Sequence, residues 1–215
     1  MQNLTPKNPS EGSRGFIEAL FAANLLTINY KALGGNNHFF SFSPEKLGDH
    51  PALPQLAGRL LAQQLEMTVV GTTLVSLSTE SNAFVAAAAH ITERHVSYRL
   101  WEELGRSRGG NPAGGKADPQ QSYLICSTQI GDGRGMLQKL RGLRDKGYPD
   151  SMPCLIVFDR GQGGVKQLRS AGYPVSVIFD RPDVLAAVNI STLSDEEQKL
   201  FAAIEVIMQR TSSAA

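Results

Sequence analysis

Cysteine is nearly missing from this chain: there are two, Cys126 and Cys154, in 215 residues. Both sit in apolar runs that read as strands, where a free thiol packs as a small hydrophobe. A disulfide framework or a zinc site needs more ligands at closer spacing. An excess of charge is missing as well. Lys+Arg number 21 against Asp+Glu 20, a formal charge of +1, so bulk electrostatics give no support to a nucleic-acid partner or an acidic membrane surface. No apolar run reaches the length of a membrane span, and the polar stretch Met1–Gly15 does not read as a leader. The expectation is a soluble, cytoplasmic protein, large enough to bury a core without disulfides or metals. His38, His50, His90 and His95 share no spacing that makes a metal site, and no internal repeat is present.

What the chain does have is alternation. Residues 1–15, rich in Asn, Pro, Ser and Gly, read as a flexible arm ahead of one domain over 16–210. Phe16, Leu20, Phe21 and Asn24–Leu26 mark an amphipathic helix. A turn at Gly34-Gly35-Asn36-Asn37 divides 28–42 into a hairpin. Helices are expected over 51–65 and 81–90, and strands over 68–77 and 95–99. Residues 105–121 crowd Gly109, Gly110, Pro112, Gly114, Gly115 and Pro119 into one long loop, the kind that often serves as a lid. Further helices are expected over 136–146, up to 171, over 182–188 and over 194–209. The last carries Ser194 and Glu197 as a capping box. Strands fall at 154–158 and 175–179. Strands alternating with helices after residue 65 imply an α/β fold, a parallel sheet covered on both faces.

The chain is organised around the stretch from Ser122 to Leu137, in which an apolar run passes into Gly131-Asp132-Gly133-Arg134-Gly135 and then a helix with Leu137, Leu140, Leu143 and Arg144 on one face. Strand, glycine turn and helix N-terminus together form an anion cradle, because the first helical N–H groups lack intrahelical partners. The same pattern also fits ordinary βα punctuation, and Asp132 with Arg134 reads equally as a phosphate site or a solvated turn.

Three stretches resemble the type I phosphoribosyltransferases, the orotate branch in particular. Lys31 followed by Phe39-Phe40 is similar to that branch's lysine and aromatic pair. Asp159-Arg160-Gly161-Gln162-Gly163-Gly164 resembles its Asp-Arg-Gln-Glu-Gly-Gly junction, and the Ser127–Gly135 segment lies where the family keeps its donor motif. The resemblance implies a phosphoribosyltransferase-like parallel central sheet flanked by helices, with a small N-terminal hood. It implies base contacts from Lys31, Phe39, Phe40 and Arg160, and phosphate contacts from Gly131, Asp132, Gly133, Arg134 and Gly135. Ser127 and Thr128 fall where the family's acidic pair grips the ribose. Lys116 of the loop would be the catalytic cation. It also implies a homodimer, no resident metal, and Mg only as cofactor of an active enzyme.

Each of these residues has a plainer reading beside it. Lys31 reads also as a solvated lysine, and one of Phe39 and Phe40 should face the core in any fold. Arg160 reads also as an ion-pair partner of Asp159 or Asp180. Ser78–Asn82 reads as a helix cap.

The departures from the family pattern are chemical. Hydroxyls stand where carboxylates grip the ribose and carry no charge to assist an oxocarbenium ion. Asp132 puts a like charge inside a phosphate cradle. Glu102 and Glu103 lie where the family is basic, in the segment from Tyr98 to Gly105. Two readings follow. One is a protein that has lost efficient transfer and binds a small-molecule planar anion or nucleotide in a binding or regulatory role. The other is an active orotate-type phosphoribosyltransferase.

Overall fold

A computed structural model describes residues 11–28, 40–43, 46, 49–50, 52–65, 72–91, 97–99, 117–118, 120–188, 195, 198–199 and 201–203. Five parallel strands form the central sheet: β3 (Thr72–Ser76), β4 (Tyr98–Arg99), β5 (Ser122–Ile130), β6 (Cys154–Asp159) and β7 (Val175–Phe179), in the order β4-β3-β5-β6-β7. Helices α2 (Ala52–Leu65) and α3 (Thr79–Ile91) precede and follow β3. Helices α4 (Arg134–Arg144), α5 (Gly164–Ser170) and α6 (Arg181–Ala186) follow β5, β6 and β7. The alternation predicted from sequence is the alternation observed.

Period-two patterning of the strands sorts their side chains into two cores. Leu74, Leu124, Cys126, Leu155 and Val157 point to one face, with α1 (Glu11–Ala22), α2 and α3 over it. Val75, Ile125, Cys154 and Ile156 point to the other, under Leu137, Leu140 and Leu143 of α4 and Leu168 of α5. The two thiols are therefore buried on opposite faces and cannot pair. Burial pushes each up to about 12, which leaves them as inert thiols. Arg144, expected on the apolar face of α4, is instead half exposed and lies 4.0 Å from Asp150.

Strands β1 (Leu26–Ile28) and β2 (Phe40–Phe42) pair antiparallel, with Leu26 opposite Phe42 and Ile28 opposite Phe40. These are the ends of the expected hairpin; its Gly34–Asn37 turn lies outside the described residues. A chain of phenylalanines anchors this small hood to the main sheet. Phe42 lies 5.0 Å from Phe158 and 6.4 Å from Phe84, Phe158 lies 5.2 Å from Phe179, and Phe179 stacks on Phe16 of α1 at 5.8 Å. Such contacts contribute roughly 0.5–1.5 kcal/mol each beyond area burial.

Two boundaries differ from expectation. Helix α1 begins at Glu11, within the stretch assigned to the arm. Short helices rely on tertiary packing more than on propensity, and Phe16, Ile17 and Leu20 are fully buried. Helix α4 starts two residues before Met136, because Gly133 takes the left-handed conformation (φ 82°) that turns the chain directly into it. Most of the 105–121 loop and of the expected 194–209 helix lies outside the described residues, although Phe201 is helical and buried.

Candidate functional site

Strands β3 and β5 are neighbours, yet the chain leaves β3 toward β4 on one side and leaves β5 toward β6 on the other. In open α/β sheets such a reversal opens a crevice at the carboxyl ends of the two strands, where ligands bind. The crevice is bounded by the β3–α3 turn and the β5–α4 turn.

The β3–α3 turn is closed on itself by hydroxyls. Ser76 Oγ and Ser81 Oγ are 2.6 Å apart, and Ser78 Oγ is 3.1 Å from Ser81 Oγ. The Ser81 N–H donates to Ser78 Oγ at 3.3 Å, the helix-cap geometry read from the sequence. Lys139 of α4 crosses the crevice and donates from Nζ to the Leu77 carbonyl at 2.8 Å. Glu80 is held below its ordinary pKa by its bond with Ser78, with Lys139 adding a smaller pull.

The β5–α4 turn contains the cradle. Asp132 Oδ1 accepts the Arg134 N–H at 3.1 Å, one of the helix-starting donors that an anion would use. Asp132 Oδ2 takes Arg134 Nε at 2.7 Å and Nη2 at 2.6 Å. The Arg134 hydrogen bond keeps this exposed carboxyl below the usual range. A carboxylate from the chain itself thus occupies one backbone donor of the turn and the Arg134 guanidinium.

The β5–α4 and β6–α5 turns lie against each other through their backbones. The Arg160 N–H donates to the Ile130 carbonyl and the Gly164 N–H to the Gly131 carbonyl, both at 3.0 Å. No side chain fits at Gly164, where a Cβ would meet the Gly131 carbonyl oxygen and stand 2.7 Å from Ile130 Cγ1. Beside this junction is a small recess. Leu26, Phe40 and Phe42 of the hood line it together with Gln129, Phe158, Asp159 and Arg160 at the sheet edge and Val184 of α6. Burial pushes the Asp159 carboxyl up, helped by Asp180 and opposed by the Gly161 N–H, Arg181 and Arg169. Burial likewise lowers the Arg160 pKa from its ordinary value, yet a guanidinium stays charged in a protein. The recess itself is shallow, about 10 Å³, because Phe40, Phe42 and Phe158 are buried among core side chains. What it presents at its rim is the partly desolvated Arg160 cation, a group that pairs well with a carboxylate or other planar anion.

The structure thus brings Phe40 and Arg160 to one recess although they are far apart in sequence. Lys31, Phe39 and Lys116 lie outside the described residues. Gly131, Asp132, Gly133, Arg134 and Gly135 do form the turn into α4. Ser127 and Thr128 are not past the strand end, since β5 continues to Ile130. Ser127 donates from Oγ to the Gln129 carbonyl at 3.2 Å, and Thr128 is 3% exposed. Sequence reasoning missed Gln129, Lys139 and Arg181. Lys139 sits one helical turn beyond Gly135, a spacing that offered a local signal for it.

Asp132, the carboxylate of the β5–α4 turn, is poorly disposed to take magnesium as it stands. That hard cation needs free oxygens, but both Asp132 oxygens already accept from Arg134. No group of three acidic, His or Cys side chains that could hold a metal occurs among the described residues. Nor, among them, is any helix long and apolar enough to cross a membrane.

This sheet, crevice and hood are the phosphoribosyltransferase fold. Among solved structures, UMP synthase of Leishmania donovani superposes with a TM-score of 0.71 at 15% identity, over 89% of this chain and 42% of that one. The chain therefore spans less than half the length of that protein. A phosphoribosyltransferase of Corynebacterium diphtheriae gives 0.61 at 14% identity, covering 80% and 97% of the two chains. Orotate phosphoribosyltransferase of Aeropyrum pernix gives 0.57 at 16%, covering 80% and 96%. At such identities the likeness establishes the fold alone. No family model and no curated protein sequence matches the chain.

Proposed function

We propose that this protein binds a pyrimidine, a nucleotide or a related planar anion beside Arg160, at the sheet edge next to the hood, in a binding or regulatory role, and has lost efficient phosphoribosyl transfer. The observation that carries this reading is the Asp132–Arg134 pair. A phosphate entering the β5–α4 turn would have to displace a carboxylate from the Arg134 N–H and guanidinium, and then stand beside that carboxylate. On the base side Phe40 and Arg160 line one recess, which supports a retained base site. Loss of the donor side with retention of the base side is what selection for binding without transfer leaves behind. The orotate and UMP-synthase character of the structural neighbours supports the choice of ligand class.

The test is an assay with orotate, phosphoribosyl diphosphate and Mg²⁺, joined to thermal shifts. Turnover should fall far below the roughly 1–1000 per second of working enzymes. Orotate or its nucleotide should raise the melting temperature, and Arg160→Ala should abolish the rise. Ordinary turnover would overturn the loss of transfer, and no shift with any such ligand would overturn the binding role.

A further inference from the structure

Arg160 is held from both sides by groups unconnected with any ligand. Its N–H donates to the Ile130 carbonyl at 3.0 Å. Its own carbonyl accepts Arg181 Nη2 at 3.0 Å, and the same nitrogen donates to the Gly161 carbonyl at 2.8 Å. The Arg181 guanidinium lies flat against Gly161. A Cβ there would stand 2.6 Å from Nη2 and 2.8 Å from both Cζ and Nε, and Gly161 has φ +66°, so only glycine suits the position. The Gly161 N–H donates to Asp159 Oδ1 at 2.8 Å, and the Asp159 charge in turn favours the Arg181 cation. Arg181 itself is seated by the helix it opens. Asp180 accepts the Asp183 N–H at 3.1 Å, and Asp183 accepts the Asp180 N–H at 2.9 Å.

We propose that Arg181 is the positioning residue for Arg160: it fixes the peptide after Arg160 and so aims that side chain at the hood recess. This rests on the binding reading given above. A turn of the sequence Arg-Gly-Gln-Gly-Gly is poor in side chains that could hold it, and glycine gives the unrestrained backbone wide freedom. Two charge-assisted bonds from one guanidinium remove that freedom before ligand arrives. Methionine at 181 would keep much of the stem and no donors. Lysine would keep the charge and lose the planar fork that rests on Gly161.

Orotate titrations well below the melting temperature, on protein with unchanged far-UV circular dichroism, test this. Arg181→Met should weaken orotate binding about tenfold or more, equivalent to about 1.4 kcal/mol, and Arg181→Lys should restore part of the loss. Gly161→Ala, which pushes against the guanidinium from the other side, should reproduce the defect. Wild-type affinity in Arg181→Met would overturn the proposal while leaving the binding reading intact. If the wild type itself does not bind orotate, the binding reading fails, and amide hydrogen exchange judges the positioning alone. Exchange at the Gly161 amide should then quicken about tenfold in Arg181→Met by the same loss of restraint, and unchanged exchange would overturn it.

Discussion

Asp132 lies with one carboxylate oxygen 2.6 Å from Arg134 Nη2 and 2.7 Å from Nε, while its other oxygen accepts the Arg134 N–H at 3.1 Å. Those three donors are what a phosphate would meet on reaching this helix start. The Asp132 charge therefore opposes any second anion at this turn.

Removing that charge should open the turn to phosphate. Asp132 does not have positive φ, so threonine, uncharged and compatible with that backbone, can replace it. Asp132→Thr should bind inorganic phosphate or ribose 5-phosphate about tenfold or more tighter than the wild type, as expected when a like charge is removed at close range. Isothermal titration would measure this. Equal affinities would show that the carboxylate is no obstacle.

Acid should erase the contribution of the pair to stability. The folded pKa of Asp132 is depressed. Its stabilisation is therefore present above the ordinary carboxylate pKa and lost as pH falls through the lower folded value. The melting-temperature difference between wild type and Asp132→Thr should be small near neutrality, because both partners are exposed, and should vanish in acid or at high salt. Asp159 runs the other way. Burial raises its pKa, so its ionisation costs stability that accumulates as pH rises from the ordinary carboxylate pKa through the raised one. A difference for Asp132→Thr that grows in acid would contradict this assignment.

Two glycine-to-alanine changes should have opposite signs. At Gly164 the new methyl would press on backbone atoms of the neighbouring turn that have nowhere to go, costing about 1–3 kcal/mol in urea unfolding. At Gly142, inside α4, nothing lies within 4 Å of the added carbon. There the gain in helix propensity, about 1 kcal/mol, should stand alone.

The thiols should be silent until the protein unfolds. Burial pushes both Cys126 and Cys154 up to about 12, and thiolate is the reacting form. Ellman's reagent at neutral pH should label neither cysteine in the native protein and both in denaturant. Rapid labelling of the native protein would show that a face of the sheet opens.

Local chemistry was legible in the sequence, and long-range placement was not. The βα turns at Gly131–Gly135 and Asp159–Gly164 announced themselves because glycine at left-handed positions is a local requirement, met at Gly133, Gly161 and Gly163. The meeting of Phe40 with Arg160 was available only through family resemblance, since no period links residues so far apart. Arg181 gave no signal, because its partners are backbone carbonyls, which every sequence has. The end of β5 was misjudged for a similar reason. The resemblance set Ser127 and Thr128 at positions directly after the strand, whereas pairing of Gln129 with Phe158 and Ile130 with Asp159 carries the strand past them. The start of α1 was hidden by Gly12 and Gly15, poor helix formers outweighed by the buried face that follows.

The aromatic contacts running from Phe16 through Phe179 and Phe158 to Phe42 make the recess a joint product of the chain's first helix and its last two sheet strands. Trimming the amino-terminal segment as a dispensable tail would therefore remove the ring that backs Phe179. A protein shortened past Phe16 should still display its glycine turns, yet melt earlier, because the row of rings beneath the hood would end on an open gap.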